Sequence, residues 1–325
     1  MTYMKRLERG AEIIINDWTE IKEKDKLLIV TTHEYALEAS KMEKYALKRK
    51  ANVDIMFMQE AGIHVGEFFD ENEKAFDGYN IIIGATDYSL VTTRATKRAV
   101  EKGSKYLSLP LSVGNGESML SHDFIQMDTK ESKFLADRII KDIEKSSMIQ
   151  IVTDIGTDLK VYKENRDPGF FSGSVNDSEG YSSASFEIYV PIEETRTEGT
   201  MVVDGSLGYI GLPKEPVKIE FANGRVTEIE GNESGKILKN YIEGYNDPNM
   251  YIAAELGIGL NTHAKTQGRS YIEDESAYKT FHIGFGRNLA LGGSQEASGH
   301  FDVVSLEPDI YADGKRIMKK GEIIV

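Results

Sequence analysis

At 325 residues, with 40% apolar and 28% charged side chains, the chain is long enough for two domains with cores of their own and is neither fibrous nor disordered in composition. A formal charge of −14 and a pI near 5.0 argue against nucleic acid or an anionic membrane as a partner. The absence of cysteine excludes disulfides, thiolate metal sites and a cysteine nucleophile, so any metal must be held by nitrogen and oxygen.

The N-terminus is charged throughout and has no apolar leader core, and no later run approaches eighteen apolar residues, so the cytoplasm is the expected compartment. Residues 4–21 carry Leu7, Ala11, Ile14, Ile15 and Trp18 at helical spacing. A strand follows at Lys26–Thr32, then a helix at 34–49, a strand at 53–58, a helix at 67–76, a strand at 79–85, a helix at 90–102, a strand at 106–109 and a helix at 131–145. This alternation predicts an α/β domain over 1–147 with a mainly parallel sheet covered on both faces. Neither GxGxxG nor GxxxxGK[ST] follows the first strand, where Thr31-Thr32-His33-Glu34 stands instead. The domain reads as a scaffold or oligomerisation unit, with His33 and His64 in surface loops and a turn at Gly114-Asn115-Gly116-Glu117.

From Met148 the pattern changes. Residues 149–153 and 159–163 read as a hairpin, 165–185 as a Gly/Ser/Asp-rich loop, and 217–221 with 225–230 as a hairpin about Asn223-Gly224. A helix is expected at 233–245. The second domain, 148–325, is therefore α+β with largely antiparallel strands.

Within that domain, residues 251–304 gather Glu255, Glu275, His282, His300 and Asp302, although the chain has only six histidines. Carboxylate and imidazole are the ligands that zinc, manganese and cobalt accept. In His300-Phe301-Asp302 the two polar side chains share one face of a strand. His282 lies in Thr280-Phe281-His282-Ile283-Gly284-Phe285-Gly286, whose glycines imply close approach of the backbone to something else. Glu255 is embedded among apolar residues, where a cation would offset the expense of a buried carboxylate. Each piece also has an ordinary reading: a hydrogen-bonded core histidine, a salt-bridged Glu255, and an exposed acidic turn at Glu273-Asp274-Glu275-Ser276.

The ordered set ELGIGLN, DE, HIGFG and HFD, preceded by Phe186-Glu187-Ile188-Tyr189-Val190-Pro191 and by Glu198-Gly199-Thr200 to Asp204-Gly205-Ser206, resembles the aminopeptidase T/S family of thermophilic metalloaminopeptidases over residues 185–325. The resemblance implies metal ligands at Glu187, Glu255, His282, His300 and Asp302, with Glu275 as general base or as a residue orienting a ligand. It also implies one or two divalent ions (zinc, cobalt or manganese), a peptide substrate cleaved by metal-activated water, and a homodimer. Leu289 occupies the position at which many of these peptidases carry Tyr. Two other classes stand beside this one: a non-catalytic metal- or small-molecule-binding protein, and the relatives of the fold that open hydroxylated pyridine rings. The latter use one iron in a two-His, one-carboxylate set, with His where this chain has Glu255, so that Glu255 and His282 weigh against that alternative.

Overall fold

The computed structural model describes residues 1–59, 62–114, 116–177 and 180–325; Asn115, in the expected turn at 114–117, lies outside the described residues. The chain divides into two compact units, Met1–Lys130 with Phe171–Phe186, and Glu131–Phe170 with Glu187–Val325.

The first unit is built on a five-stranded parallel sheet, in the order Asn52–Met58, Lys26–Thr32, Ile81–Ala85, Lys105–Ser108, Tyr181–Ser183. Its central strands are continuous apolar runs, buried from Leu27 to Val30 and from Ile81 to Ile83, as a sheet covered on both faces requires. Helices at Tyr3–Ile13, Ala36–Lys48, Val65–Glu71 and Arg94–Glu101 alternate with the strands. The first helix runs into a π-helical turn, Ile14–Trp18, with Ile14, Ile15 and Trp18 buried. The third is shorter than the apolar pattern suggests because the Asn72 side chain donates to the Phe68 carbonyl at 2.8 Å and closes the last turn. Strand Tyr181–Ser183 sits inside the stretch expected to be a loop; three residues are too few to show alternation.

The second unit holds an eight-stranded antiparallel sheet and four strands of a five-stranded one, in the order His300–Leu306 (an edge strand), Thr280–Gly286, Ala253–Gly259, Glu187–Pro191. Both expected hairpins form, pairing Met148–Val152 with Asp158–Tyr162 and Val217–Ala222 with Arg225–Ile229. At the tip of the latter, Asn223 and Gly224 have φ of 52° and 77°, the left-handed pair that a two-residue turn demands. Helix–strand alternation stops at Met148, whereas the compact units part at Lys130, because helix Thr129–Lys145 bonds to the C-terminal strands: Arg138 donates to the carbonyls of Ile323 and Val325, and Lys315 pairs with Asp142. The fold is thus an α/β unit with a parallel sheet and an α+β unit rich in antiparallel strands. Among the described residues no helix is long and apolar enough to cross a membrane.

Candidate metal centre

The site is built on one face of the four antiparallel strands of the second unit. Across the sheet, Gly257 pairs with Tyr189 on one side and His282 on the other, Gly284 lies between Glu255 and Asp302, Gly286 pairs with His300, and Gly259 with Glu187. Polar side chains therefore alternate with glycines from strand to strand, and the glycines make room for them. A methyl group on Gly257 would come within 1.9 Å of His282 Nε2, and one on Gly284 within 2.7 Å of the His300 ring and 2.8 Å of Asp302 Oδ1. The close approach inferred from HIGFG is thus between backbone and neighbouring site side chains.

Five of the expected residues converge. Glu187 Oε2 lies 2.9 Å from His282 Nε2, and Glu255 Oε2 lies 2.9 Å from His300 Nε2. Asp302 Oδ1 is 3.2 Å from His300 Nε2 and 4.0 Å from His282 Nε2. Two groups of three have ligand atoms mutually within 4.8 Å, Glu187–Glu255–His282 and Glu255–His300–Asp302, so Glu255 is common to both. His300 and Asp302 retain 24% and 11% exposure against 2% for His282, so the cluster opens toward solvent at its His300 end. His33 and His64 belong to neither group; both are exposed, His33 stacked on Phe57 and His64 bonded to Glu67.

Glu275 is not in an exposed turn. The segment Tyr271–Ser276 is a short helix with all six residues buried, and Glu275 Oε2 has no hydrogen-bond partner. Burial, and then the charges of Asp302, Glu187 and Glu255, push its carboxyl well above the carboxylate range. The acidic run looked solvent-exposed because acidic clusters usually are; here each acid has a separate buried environment. Glu273 is paired with Arg269 at 2.7 Å, and Asp274 accepts from the backbone of Gln267 and Gly268.

The electrostatics fit a cation. Glu187, Glu255, Glu275 and Asp302 are four inward carboxyls facing two imidazoles, and among the described residues no Lys or Arg lies within ion-pair distance of Glu255, Glu275 or Asp302. Burial opposes a charged ring at His282, yet the Glu187 carboxylate, assisted by Asp302 and Glu255, carries its pKa up to about 9. Burial likewise opposes a charged His300, and Asp302 and Glu255 override it. Buried acids that draw protons onto neighbouring rings are the electrostatic situation a divalent ion relieves. His300 is also oriented for ligation: its Nδ1 is 2.8 Å from the Arg287 carbonyl, which can only accept, so Nδ1 carries the hydrogen and Nε2 is left to face the cluster.

Two polar residues beside this sheet carry no motif signal: Glu194, in an ordinary Glu-Glu pair, and Asn288, ahead of Leu289. Asn288 is fully buried and donates to the Ala254 carbonyl at 2.9 Å, directly before Glu255.

A family model described as NicX, 2,5-dihydroxypyridine 5,6-dioxygenase, matches residues 22–325. The chain is 28% identical over 144 residues to the 2,5-dihydroxypyridine 5,6-dioxygenase of Pseudomonas putida, a match covering 40% of this chain and 41% of that relative's length. In fold it is similar to the solved 2,5-dihydroxypyridine dioxygenase from Pseudomonas putida, with a TM-score of 0.82, 16% identity and coverage of 100% and 98% of the two chains. AmpT from Thermus thermophilus, covered fully in both chains, also has 16% identity but a TM-score of 0.68.

These findings overturn the expectation of an aminopeptidase: the hydrolase class and the peptide substrate both fall, and the peptidase likeness is one of fold. The misreading has a physical cause, since carboxylates and imidazoles on glycine-relieved strands describe a place for a cation and not the reaction performed there. The argument from Glu255 and His282 against a ring-opening enzyme also gives way to the family match, and in the structure His282 and His300 both approach Asp302 Oδ1, at 4.0 and 3.2 Å. With the family model spanning 22–325, the chain belongs to the NicX family of 2,5-dihydroxypyridine 5,6-dioxygenases.

Proposed function

We propose that the protein is an iron(II)-dependent dioxygenase that opens a small hydroxylated nitrogen heterocycle, with 2,5-dihydroxypyridine the first compound to test. The observation that carries the reading is the meeting of His282 Nε2 and His300 Nε2 around Asp302 Oδ1, at 4.0 and 3.2 Å, in a member of this family. Two imidazoles and one carboxylate are the donor set of non-haem iron oxygenases, and the all-nitrogen-and-oxygen surroundings suit iron(II). When bound, iron supplies a centre at which dioxygen and an electron-rich ring combine.

The chain's own residues have separable tasks. His282, His300 and Asp302 would hold the iron, with the Glu187 and Glu255 carboxylates beside the two rings, each 2.9 Å from an imidazole Nε2. The Arg287 carbonyl fixes the His300 tautomer. Glu275, whose carboxyl is buried and pushed well above the carboxylate range and whose Oε2 has no hydrogen-bond partner, exchanges a proton with a substrate hydroxyl. The wider opening at His300 is the side from which a ring enters.

The experiment is anaerobic loading with iron(II), followed by oxygen-electrode and mass-spectrometric assays with 2,5-dihydroxypyridine under isotopically labelled dioxygen. Uptake of one dioxygen per ring, with both labelled atoms in a ring-opened product, is expected. Stoichiometric iron without oxygen uptake on any hydroxypyridine would overturn the reading.

A further inference from the structure

The ladder between Ala253–Gly259 and Thr280–Gly286 slips by one residue at the site. Ala253 pairs with Phe285, but Glu255 pairs with Gly284, so Ala254 is an extra residue bulged out of register. A bulge re-aims the side chains that follow it, and the side chain that follows this one is Glu255. The Ala254 carbonyl has two lone pairs: one accepts from the Ile192 backbone N–H at 3.2 Å, and the other from Asn288 Nδ2 at 2.9 Å, so a side chain as well as a neighbouring strand holds the bulged peptide.

The same amide is held from behind. Asn288 Nδ2 also donates to Glu194 Oε1 at 3.0 Å, and its Oδ1 accepts from the Gln295 backbone at 2.9 Å, so the fully buried amide is satisfied at both ends. Glu194 is gripped by Arg166, with bonds of 2.9 and 2.8 Å to its two oxygens, and by the Ser294 backbone at 3.0 Å. On the other side, the peptide preceding Asn288 carries the Arg287 carbonyl that accepts from His300 Nδ1. One buried side chain therefore bonds the bulge that aims Glu255 and belongs to the segment that orients His300.

We propose that Asn288, clamped by Glu194, is a positioning residue that sets Glu255 and His300 in register with each other for the metal. This inference rests on the metal-binding reading above. A carbonyl bond made by a packed side chain fixes its target more tightly than a solvent bond, and loss of such support typically weakens metal binding about ten- to a hundredfold.

The test is titration of the metal-free protein with Co2+, followed by calorimetry and by the visible absorption band of the bound ion, which reports ligand geometry independently of turnover. Asn288→Ala should lower Co2+ affinity about ten- to a hundredfold and shift the band, and Glu194→Gln, which keeps an acceptor for the amide, should shift it less. Asn249→Ala is the control: its side chain pins the same loop through the Glu296 carbonyl at 2.9 Å but touches neither Ala254 nor Glu194, so affinity and band should stay as in the wild type. Circular dichroism of each metal-free variant identifies any that fails to fold, and in that case Glu194→Gln decides alone. Wild-type affinity and band in folded Asn288→Ala, or an equal shift in Asn249→Ala, overturns the proposal and leaves the metal reading standing. Failure of the wild type to bind Co2+ or iron(II) overturns both.

Discussion

The two sheets of this protein solve opposite problems. The parallel sheet of the first unit is filled with Leu27, Leu28, Ile29, Val30 and Ile81 to Ile83, and its burial is stabilising residue by residue. The antiparallel sheet of the second unit interrupts equally buried strands with Glu187, Glu255 and His282 and surrounds them with glycines that add no packing. The first arrangement maximises apolar contact. The second sacrifices contact and charge balance to bring acids and imidazoles to one place, which is worthwhile only when something outside the chain restores the balance. On the metal-binding reading proposed above, stability and function are carried by different sheets, and substitutions in each should separate the two.

The largest effect is expected at His300, at the open end of the cluster. His300→Ala removes a ring facing both Glu255 and Asp302 and should reduce iron(II) or Co2+ affinity by at least about a hundredfold, read by calorimetry, while abolishing oxygen uptake. The converse is Phe69, fully buried in the core of the first unit beside Phe76 at 5.0 Å. Phe69→Ala should cost about 3–5 kcal/mol in denaturant unfolding. Co2+ affinity of the folded fraction should be unchanged, and a parallel loss of metal binding would break the separation of the sheets.

What could be read without coordinates follows the same division. The alternation of helix and strand in the first unit was legible because Lys26–Thr32 and Ile81–Ala85 are apolar runs whose period and length leave little choice. The hairpin at Asn223-Gly224 was legible because few residue pairs tolerate two positive φ angles. Of the five residues that converge, Glu255, His282, His300 and Asp302 stood out as residue types out of place on apolar strands, whereas Glu187 entered only through the family resemblance. The burial of Glu275 was not, since an acidic run has the composition of a solvated turn, even though the partners of its neighbours, Arg269 and the Gln267 and Gly268 amides, lie within the preceding turn and loop. Glu194 and Asn288 were not, because their value lies in bonds spanning 94 and 34 positions. The reaction itself was misread: donor types and glycine spacing are common to folds that use a cation differently, and the family match corrected it.

A smaller and more specific effect is expected from Gly257. A methyl group there would meet His282 Nε2 at 1.9 Å, so the ring must turn away although no ligand atom is deleted. Gly257→Ala should destabilise by about 1–3 kcal/mol, the usual consequence of overpacking, and weaken Co2+ binding out of proportion to that loss. Unchanged metal affinity in this variant would mean that the glycine makes no room the site needs.

The smallest effect tests whether the buried acids outside the cluster carry the same electrostatic burden. Asp274 is buried, and desolvation pushes its carboxyl up to about 6 against the opposing bonds from the Gln267 and Gly268 backbones. A carboxyl whose pKa is higher in the folded than in the unfolded protein binds its proton more tightly when folded. Its contribution to stability is therefore fully present below the unfolded value of 3.8 and is lost as pH rises through about 6. Over that window the loss should approach, and not exceed, about 1.4 kcal/mol per pH unit. In Asp274→Asn the oxygen that accepts from Gln267 and Gly268 is retained and the titration is removed. Urea unfolding at a series of pH values from 4 to 7 should show a shallower decline of stability for the variant than for the wild type, with the two curves closest at the acid end and separating as pH rises through about 6. Parallel curves would mean that Asp274 is ionised throughout, and that its two backbone donors outweigh its burial.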